Sequence, residues 1–282
     1  MPHFRSFQTS LTESSGQLAP FLQRMNLTTI IFDVDDTLYD VGTGFTAHRN
    51  GEAVQQFMVD QLGFADLASA KTVRDEYFER YHATAKALVV AEKEGRFPPM
   101  DNAPETRFHA RDLSEYWAKN LNFSLLGGSK SSLREDLESC PLHLVAFSNG
   151  PRKYVKRVLE ELDLFSLFGE SRLFAVDDVL PSCKPEVEAF SKVLESVGAK
   201  PEQCVMVEDS MKNIRVAKQL GMKTILITGK KTSDMAALEA SEATKPGDAP
   251  MEDDPAVDVA METVEELRSR LPGLWKSPAC WD

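Results

Sequence analysis

The chain has 282 residues, 42% hydrophobic and 27% charged, with a formal net charge of -12. That charge argues against a long polyanion such as DNA or RNA as partner, because such a ligand needs a basic surface; it leaves room for a small anion met by local cations. No apolar run approaches the roughly 20 residues of a membrane span, and Cys140, Cys183, Cys204 and Cys280 are scattered with no metal-ligand spacing, like reduced thiols of a cytoplasmic protein.

Residues 1–26 are rich in Ser and Thr, hold a single acid, Glu13, and read as a flexible N-terminal extension, with an organellar transit peptide as the alternative. Thr28-Thr29-Ile30-Ile31-Phe32 is β-branched or aromatic throughout and runs straight into Asp33, Asp35 and Asp36. This predicts a buried parallel strand whose carboxyl end delivers charge to a cleft. Three carboxylates within four residues repel one another unless a cation or proton is shared, so the stretch calls for a metal ion. Asp40-Val41-Gly42-Thr43-Gly44 is loop chemistry.

About eighty helical residues follow. Val54, Phe57, Met58 and Leu62 share one face, and Tyr77, Tyr81, Ala85 and Leu88 belong to a helix stopped before Pro98-Pro99. A further helix covers about Ala110 to Leu121. From Leu142 strand and helix alternate: Leu142–Phe147, a helix after Pro151, a short strand Leu173–Val176, a helix with Phe190, Val193, Leu194 and Val197 inward, Cys204–Val207, a helix stopped at Gly221, and Thr224–Ile227. Residues 231–255 form an acidic loop with a short helix around Met235 to Glu239; Val257–Ala260 and Val264–Leu271 are the last strand and helix, and Trp275 pins the tail to the core. The expected fold class is α/β, a Rossmann-like parallel sheet (27–43 and 125–282) with an all-helical cap at 44–124 inserted after the first strand.

The polar turns, Asp33 to Thr37, Ser148-Asn149 and Glu208-Asp209-Ser210, end buried strands, and Lys184-Pro185 precedes a helix. In this order they resemble the four motifs of the haloacid dehalogenase superfamily of phosphatases and phosphomutases, whose α-helical cap sits where this insertion falls. The pattern is more closely similar to the pyrimidine 5′-nucleotidase branch, through Asp33 to Tyr39, Phe147-Ser148-Asn149, Cys183-Lys184-Pro185, and Asp209 to Ile214 followed by Gly221-Met222-Lys223-Thr224. One departure lies in the cap, where Tyr81 is followed by His82 and the branch has glycine.

The resemblance implies a Mg²⁺-dependent phosphohydrolase acting through an aspartyl-phosphate on a small phosphorylated metabolite, a pyrimidine nucleoside 5′-monophosphate in the closest branch. The alternatives are a small-molecule phosphatase for phosphoglycolate, a sugar phosphate or an FMN-type ester, a phosphomutase, and, outside enzymes, a phospho-accepting signalling module. Asp33 is the expected nucleophile, and Asp35 the acid-base group, its pKa raised by the neighbouring carboxylates. Thr37 orients Asp35 or bonds the phosphoryl group; Ser148, Asn149 and Lys184 bind it. Asp33, the Asp35 carbonyl, Asp209 and Glu208 are the expected Mg²⁺ ligands. Asp36 receives no role, and His48, His82 and His109 read as ordinary cap residues. Monomer and homodimer are both open.

Overall fold

The computed structural model describes residues 26–102, 104–230 and 250–281. The proposed helix at Met235 to Glu239 and the N-terminal extension lie outside the described residues, apart from Asn26. The first strand, β1 (Thr29–Phe32), is followed by helices α1 (Phe45–His48), α2 (Val54–Leu62), α3 (Leu67–Tyr81), α4 (Thr84–Lys93), α5 (Ala110–Asn120) and α6 (Ser131–Glu138). Then come β2 (His143–Phe147), α7 (Arg152–Glu161), α8 (Phe165–Phe168), β3 (Leu173–Phe174), α9 (Val176–Val179), α10 (Val187–Val197), β4 (Cys204–Glu208), α11 (Met211–Leu220), β5 (Lys223–Ile227), β6 (Val259–Met261) and α12 (Leu267–Arg270).

The six strands form one all-parallel sheet in the order β3-β2-β1-β4-β5-β6. The chain builds outward from β1 to one edge, then returns to build the other half from β4. Strand order therefore reverses between β1 and β4, and that point in an open parallel sheet leaves a crevice beyond the carboxyl ends. β1 and β4 are buried along their whole lengths because helices cover both faces, which is why each reads as a continuous apolar run. Phe32 meets Phe168 edge to face with centroids 6.1 Å apart, and both are fully buried.

Several boundaries differ from the sequence reading. Tyr81 and Ala85 do not share a helix: α3 ends at His82, whose φ of 52° lies in the left-handed region, and α4 starts anew at Thr84. Between α1 and α2 the residues Arg49–Ala53 form a wide π-type turn, with Gly51 off helical geometry (φ -89°, ψ -118°). Helix α6 was not anticipated, since it buries only Leu133 and Leu137 and the rest of its surface is polar. Strand β3 stops at Phe174 because Val176 already begins a helical turn, and the last strand sits two residues later than expected. Trp275 does anchor the tail: it packs on the main core cluster and its indole Nε1 donates to the Asp136 carbonyl at 2.9 Å.

Truncating Phe168 removes one side of the Phe32 contact with no surface route for water to fill the gap. Phe168→Ala should cost about 3–5 kcal/mol, read as a lower urea midpoint at unchanged slope.

Candidate active site

The crevice at the β1/β4 reversal gathers the acids. Asp33 follows β1 directly and its N–H donates to the Val207 carbonyl at 2.9 Å, extending the ladder by one residue. Glu208 ends β4, Asp209 follows it, and Ser148 follows β2. Lys184 enters from the segment between α9 and α10 and is 1% exposed. Its Nζ lies 2.6 Å from Asp33 Oδ1 and 3.3 Å from Glu208 Oε1. Asn149, expected to bind substrate, instead clamps the lysine backbone: its Nδ2 donates to the Lys184 carbonyl at 2.8 Å and its Oδ1 accepts from the Lys184 N–H at 2.9 Å.

Asp33, Glu208 and Asp209 each offer a carboxylate oxygen, and these lie within 4.8 Å of one another. Burial raises the pKa of all three, only partly opposed at Asp33 by Lys184; Glu208 is pushed up to about 8 and Asp209 well above its ordinary value. Glu208 Oε2 is buried without a hydrogen-bond partner, while Oε1 accepts from Lys184 and Asn213. A buried carboxylate oxygen with no donor, inside an all-oxygen set, fits a hard divalent cation such as Mg²⁺. Thr37 is aimed at this set and not at Asp35, since its hydroxyl donates to Asp209 Oδ1 at 3.4 Å.

Asp35 has surroundings the sequence reading did not foresee. Burial alone would raise its pKa, but Arg49 and the Tyr154 and Tyr39 hydroxyls outweigh burial and hold it below the ordinary carboxylate value. Arg49 NH1 lies 2.7 Å from Oδ2, Tyr39 donates to Oδ1 at 2.7 Å, Tyr154 donates to the same oxygen, and Ser148 donates to Oδ2 at 3.2 Å. The expected upward shift belongs to Asp36 instead, buried and pushed up to about 7 chiefly by desolvation; Thr46 donates to it at 2.8 Å.

Neither Arg49 nor Tyr154 figures among the candidate site residues read from the sequence. Arg49 leaves the π-type turn, its guanidinium 5.6 Å from the Trp117 ring centroid and 5.2 Å from that of Tyr154, and donates to the Tyr154 hydroxyl at 2.6 Å. Nothing in local spacing marks it, because its partners lie up to 105 residues away. Tyr39, Phe45 and Phe108 are buried in the core. His82, expected to be ordinary, lines the cleft with Asn50, Phe78, Thr84, Trp117 and Lys212, above the acids and Lys184.

The structure thus places an acid cluster and a buried lysine together at the switch point of an all-parallel α/β sheet. Residues 27–221 match the family described as haloacid dehalogenase-like hydrolase, and the chain belongs to it. It is similar to the glyceraldehyde 3-phosphate phosphatases of Methanothermobacter thermautotrophicus (26% identical, covering 73% of this chain and 88% of that one) and Methanocaldococcus jannaschii (28%, covering 76% and 91%). A phosphoglycolate phosphatase of Vibrio cholerae is 30% identical over 45% of this chain and 55% of its own. Among solved structures, the 2-haloacid dehalogenase of Pseudomonas syringae superposes with a TM-score of 0.54 at 16% identity, over 87% of this chain and 98% of that one, a likeness of fold.

The raised carboxyls would give a cation held by this cluster a pH signature. Glu208, pushed up to about 8, is protonated below that pH, and a bound cation must displace the proton. Mg²⁺ affinity, followed by calorimetry from about pH 6 to about pH 9, should rise through pH 8 with proton release, then level off.

Proposed function

We propose that the chain is a Mg²⁺-dependent phosphohydrolase that cleaves a small phosphate monoester through an aspartyl-phosphate. The observation that carries this reading is the Asp33 carboxylate held 2.6 Å from the buried Lys184 ammonium within the three-carboxylate cluster. An anionic nucleophile can approach a phosphate dianion only where its charge and the phosphate's are cancelled. Asp33, Glu208 and Asp209 would hold Mg²⁺, with the Asp35 carbonyl as a further ligand, and the ion would supply positive charge to the phosphoryl oxygens.

Asp33 forms a bond to phosphorus as the ester P–O bond breaks, and the leaving oxygen takes a proton from Asp35. Asp35 then accepts a proton from the water that hydrolyses the aspartyl-phosphate. Its pairing with Arg49 suits the second half of this cycle, in which an ionised base is needed. For the first half the Arg49 contact must loosen, and an entering dianion competes for that guanidinium. Ser148 joins β2 to Asp35 and keeps the carboxylate at the cleft floor.

The substrate we favour is a two- or three-carbon phosphate ester. The cleft measures about 150 Å³, below the roughly 300 Å³ at which sites for drug-sized ligands begin, and two relatives matched over 88% and 91% of their own length are named for a three-carbon phosphate. A pyrimidine nucleoside 5′-monophosphate is the second reading, supported by the likeness of Asp33 to Tyr39, Ser148-Asn149, Lys184-Pro185 and Asp209 to Ile214 to the pyrimidine 5′-nucleotidase branch.

Phosphate release from phosphoglycolate, glyceraldehyde 3-phosphate, sugar phosphates, FMN, UMP and CMP should require Mg²⁺ and be fastest with the two- and three-carbon esters; fastest turnover of UMP or CMP would favour the nucleotidase reading. In Asp33→Asn the rate should fall at least about a thousandfold with the fold retained by circular dichroism, and sustained turnover would remove Asp33 as nucleophile.

A further inference from the structure

Arg49 and Asn50 are consecutive residues that both line the cleft, and Arg49 Nε donates to Asn50 Oδ1 at 3.3 Å. In a regular α-helix neighbouring side chains diverge and do not face each other. The π-type turn Arg49–Ala53 brings this pair to one cavity, and such wide turns are found often at functional positions. Both residues are buried, and the backbone that carries them belongs to the helical insert.

The two ends of the Asn50 amide have different fates. A guanidinium has donors only, so the end that bonds Arg49 is the oxygen, and the nitrogen is the end left over. Among the described residues nothing accepts from Asn50 Nδ2. The other polar groups around Asp35 are paired among themselves: Arg49 with Asp35 and Tyr154, Thr46 with Asp36, and Ser148 with Asp35. A buried polar group is ordinarily paired, and one left open on the wall of a cavity marks the place of a ligand atom. Its chemistry says which atom. An uncharged donor suits an uncharged acceptor, and a carbonyl oxygen, which only accepts, suits it better than a hydroxyl whose own proton needs a partner.

We propose that Asn50 is a specificity-determining residue whose Nδ2 donates to a carbonyl oxygen of the leaving group, on the carbon next to the ester carbon. This rests on the phosphohydrolase reading above and deepens it. Arg49 NH1 lies 2.7 Å from Asp35 Oδ2 and Arg49 Nε bonds Asn50, so the amide stands one guanidinium away from the group that protonates the ester oxygen. The atom it meets therefore belongs to the leaving group and lies close to that oxygen. A 2-keto phosphate ester engages the site at both ends, the phosphoryl group at Asp33 and the carbonyl at Asn50, whereas an alkyl group in the same place leaves Nδ2 without an acceptor.

Binding is measured on the full chain with Mg²⁺ by calorimetric titration of two phosphonates that cannot be hydrolysed: 3-oxobutylphosphonate, and 3-methylbutylphosphonate, which has a methyl in place of the carbonyl oxygen. The keto ligand should bind about fivefold more tightly. In Asn50→Leu, close in volume, the ratio should fall to about one. Asn50→Asp keeps the oxygen that Arg49 bonds but has no donor when ionised, and should lose the ratio as well. A residue serving only to position Arg49 would, on replacement by leucine, weaken both phosphonates alike and leave their ratio intact. A ratio that survives in either variant, or equal binding of the two ligands by the unaltered chain, would overturn the proposal. Phosphate release should follow, with hydroxyacetone phosphate preferred to isobutyl phosphate by a similar factor in kcat/KM, and the preference lost in Asn50→Leu. The keto preference in binding with no phosphate released from any ester would sink the phosphohydrolase reading and uphold the role of Asn50; release without that preference would do the reverse.

Discussion

Buried like charges at one point of the sheet are the constraint around which the rest of the molecule is arranged. Asp33 and Glu208, both buried, and the half-buried Asp209 present oxygens within 4.8 Å of one another, an arrangement that cannot stay fully ionised without positive charge alongside. Lys184 supplies one such charge at 2.6 Å from Asp33. The lysine is itself fully buried, so it is stable there only because the acids are, and its pKa is held above its ordinary value by Asp33 and Glu208 against the effect of burial. Much of the surrounding structure serves this mutual dependence. The β1 and β4 ladders set the spacing of Asp33 and Glu208, and Asn149 fixes the Lys184 backbone from the end of β2.

A second, parallel arrangement involves the helices between β1 and β2. Asp33 and Asp35 are two residues apart, yet they face cations from different parts of the chain: Lys184 follows the third strand, and Arg49 leaves the π-type turn just after α1. Each of the two carboxylates is thus offset by its own cation, although the Asp35 charge still pushes the Asp33 pKa up. The cost of burying Arg49 is met by Asp35, Tyr154 and two aromatic faces, so breaking one member of the set leaves others without a partner. This ties the helical insert to the floor of the cleft through the proposed proton carrier itself.

How far all this was legible depends on where the information resides. Strand and helix order, the parallel sheet and the anchoring role of Trp275 follow from apolar runs and stripes that are local in sequence, and Gly221 marks its helix end by chemistry that glycine alone meets well. The convergence of Asp33, Lys184, Glu208 and Asp209 was also readable, since each sits at a strand end or a helix start and an open parallel sheet brings such ends together. What was not readable depends on distant partners. The lowered pKa of Asp35 comes from Arg49 and Tyr154, neither of which carries a local signal, so the nearby carboxylates looked like the dominant influence. Thr37 reads from sequence as orienting Asp35 or bonding the phosphoryl group, and Asn149 as binding it; only the fold shows that they bond Asp209 and the Lys184 backbone. The break at His82 was hidden because Tyr77, Tyr81, Ala85 and Leu88 keep helical spacing across two separate helices.

The opposite pKa shifts of Asp33 and Asp35 carry a mechanistic consequence. In this arrangement the proposed nucleophile is the carboxyl that burial protonates more easily, and the proposed proton donor is the one that Arg49 keeps ionised. Lys184, and the Mg²⁺ that Asp33 would help to hold, favour the ionised form of Asp33, whereas Asp35 needs the Arg49 contact to loosen before it can carry a proton. A dianionic ester changes the Asp35 balance in the needed direction. It competes with Asp35 for the Arg49 guanidinium, and once that ion pair loosens, burial and the added negative charge both favour a proton on Asp35. The same ester brings Lys184 a second anion beside Asp33, binding both oxygens to one cation along the line of attack. In the proposed mechanism Arg49 would make catalysis conditional on the substrate's own charge, because an anion competes with Asp35 for the guanidinium and a water molecule does not.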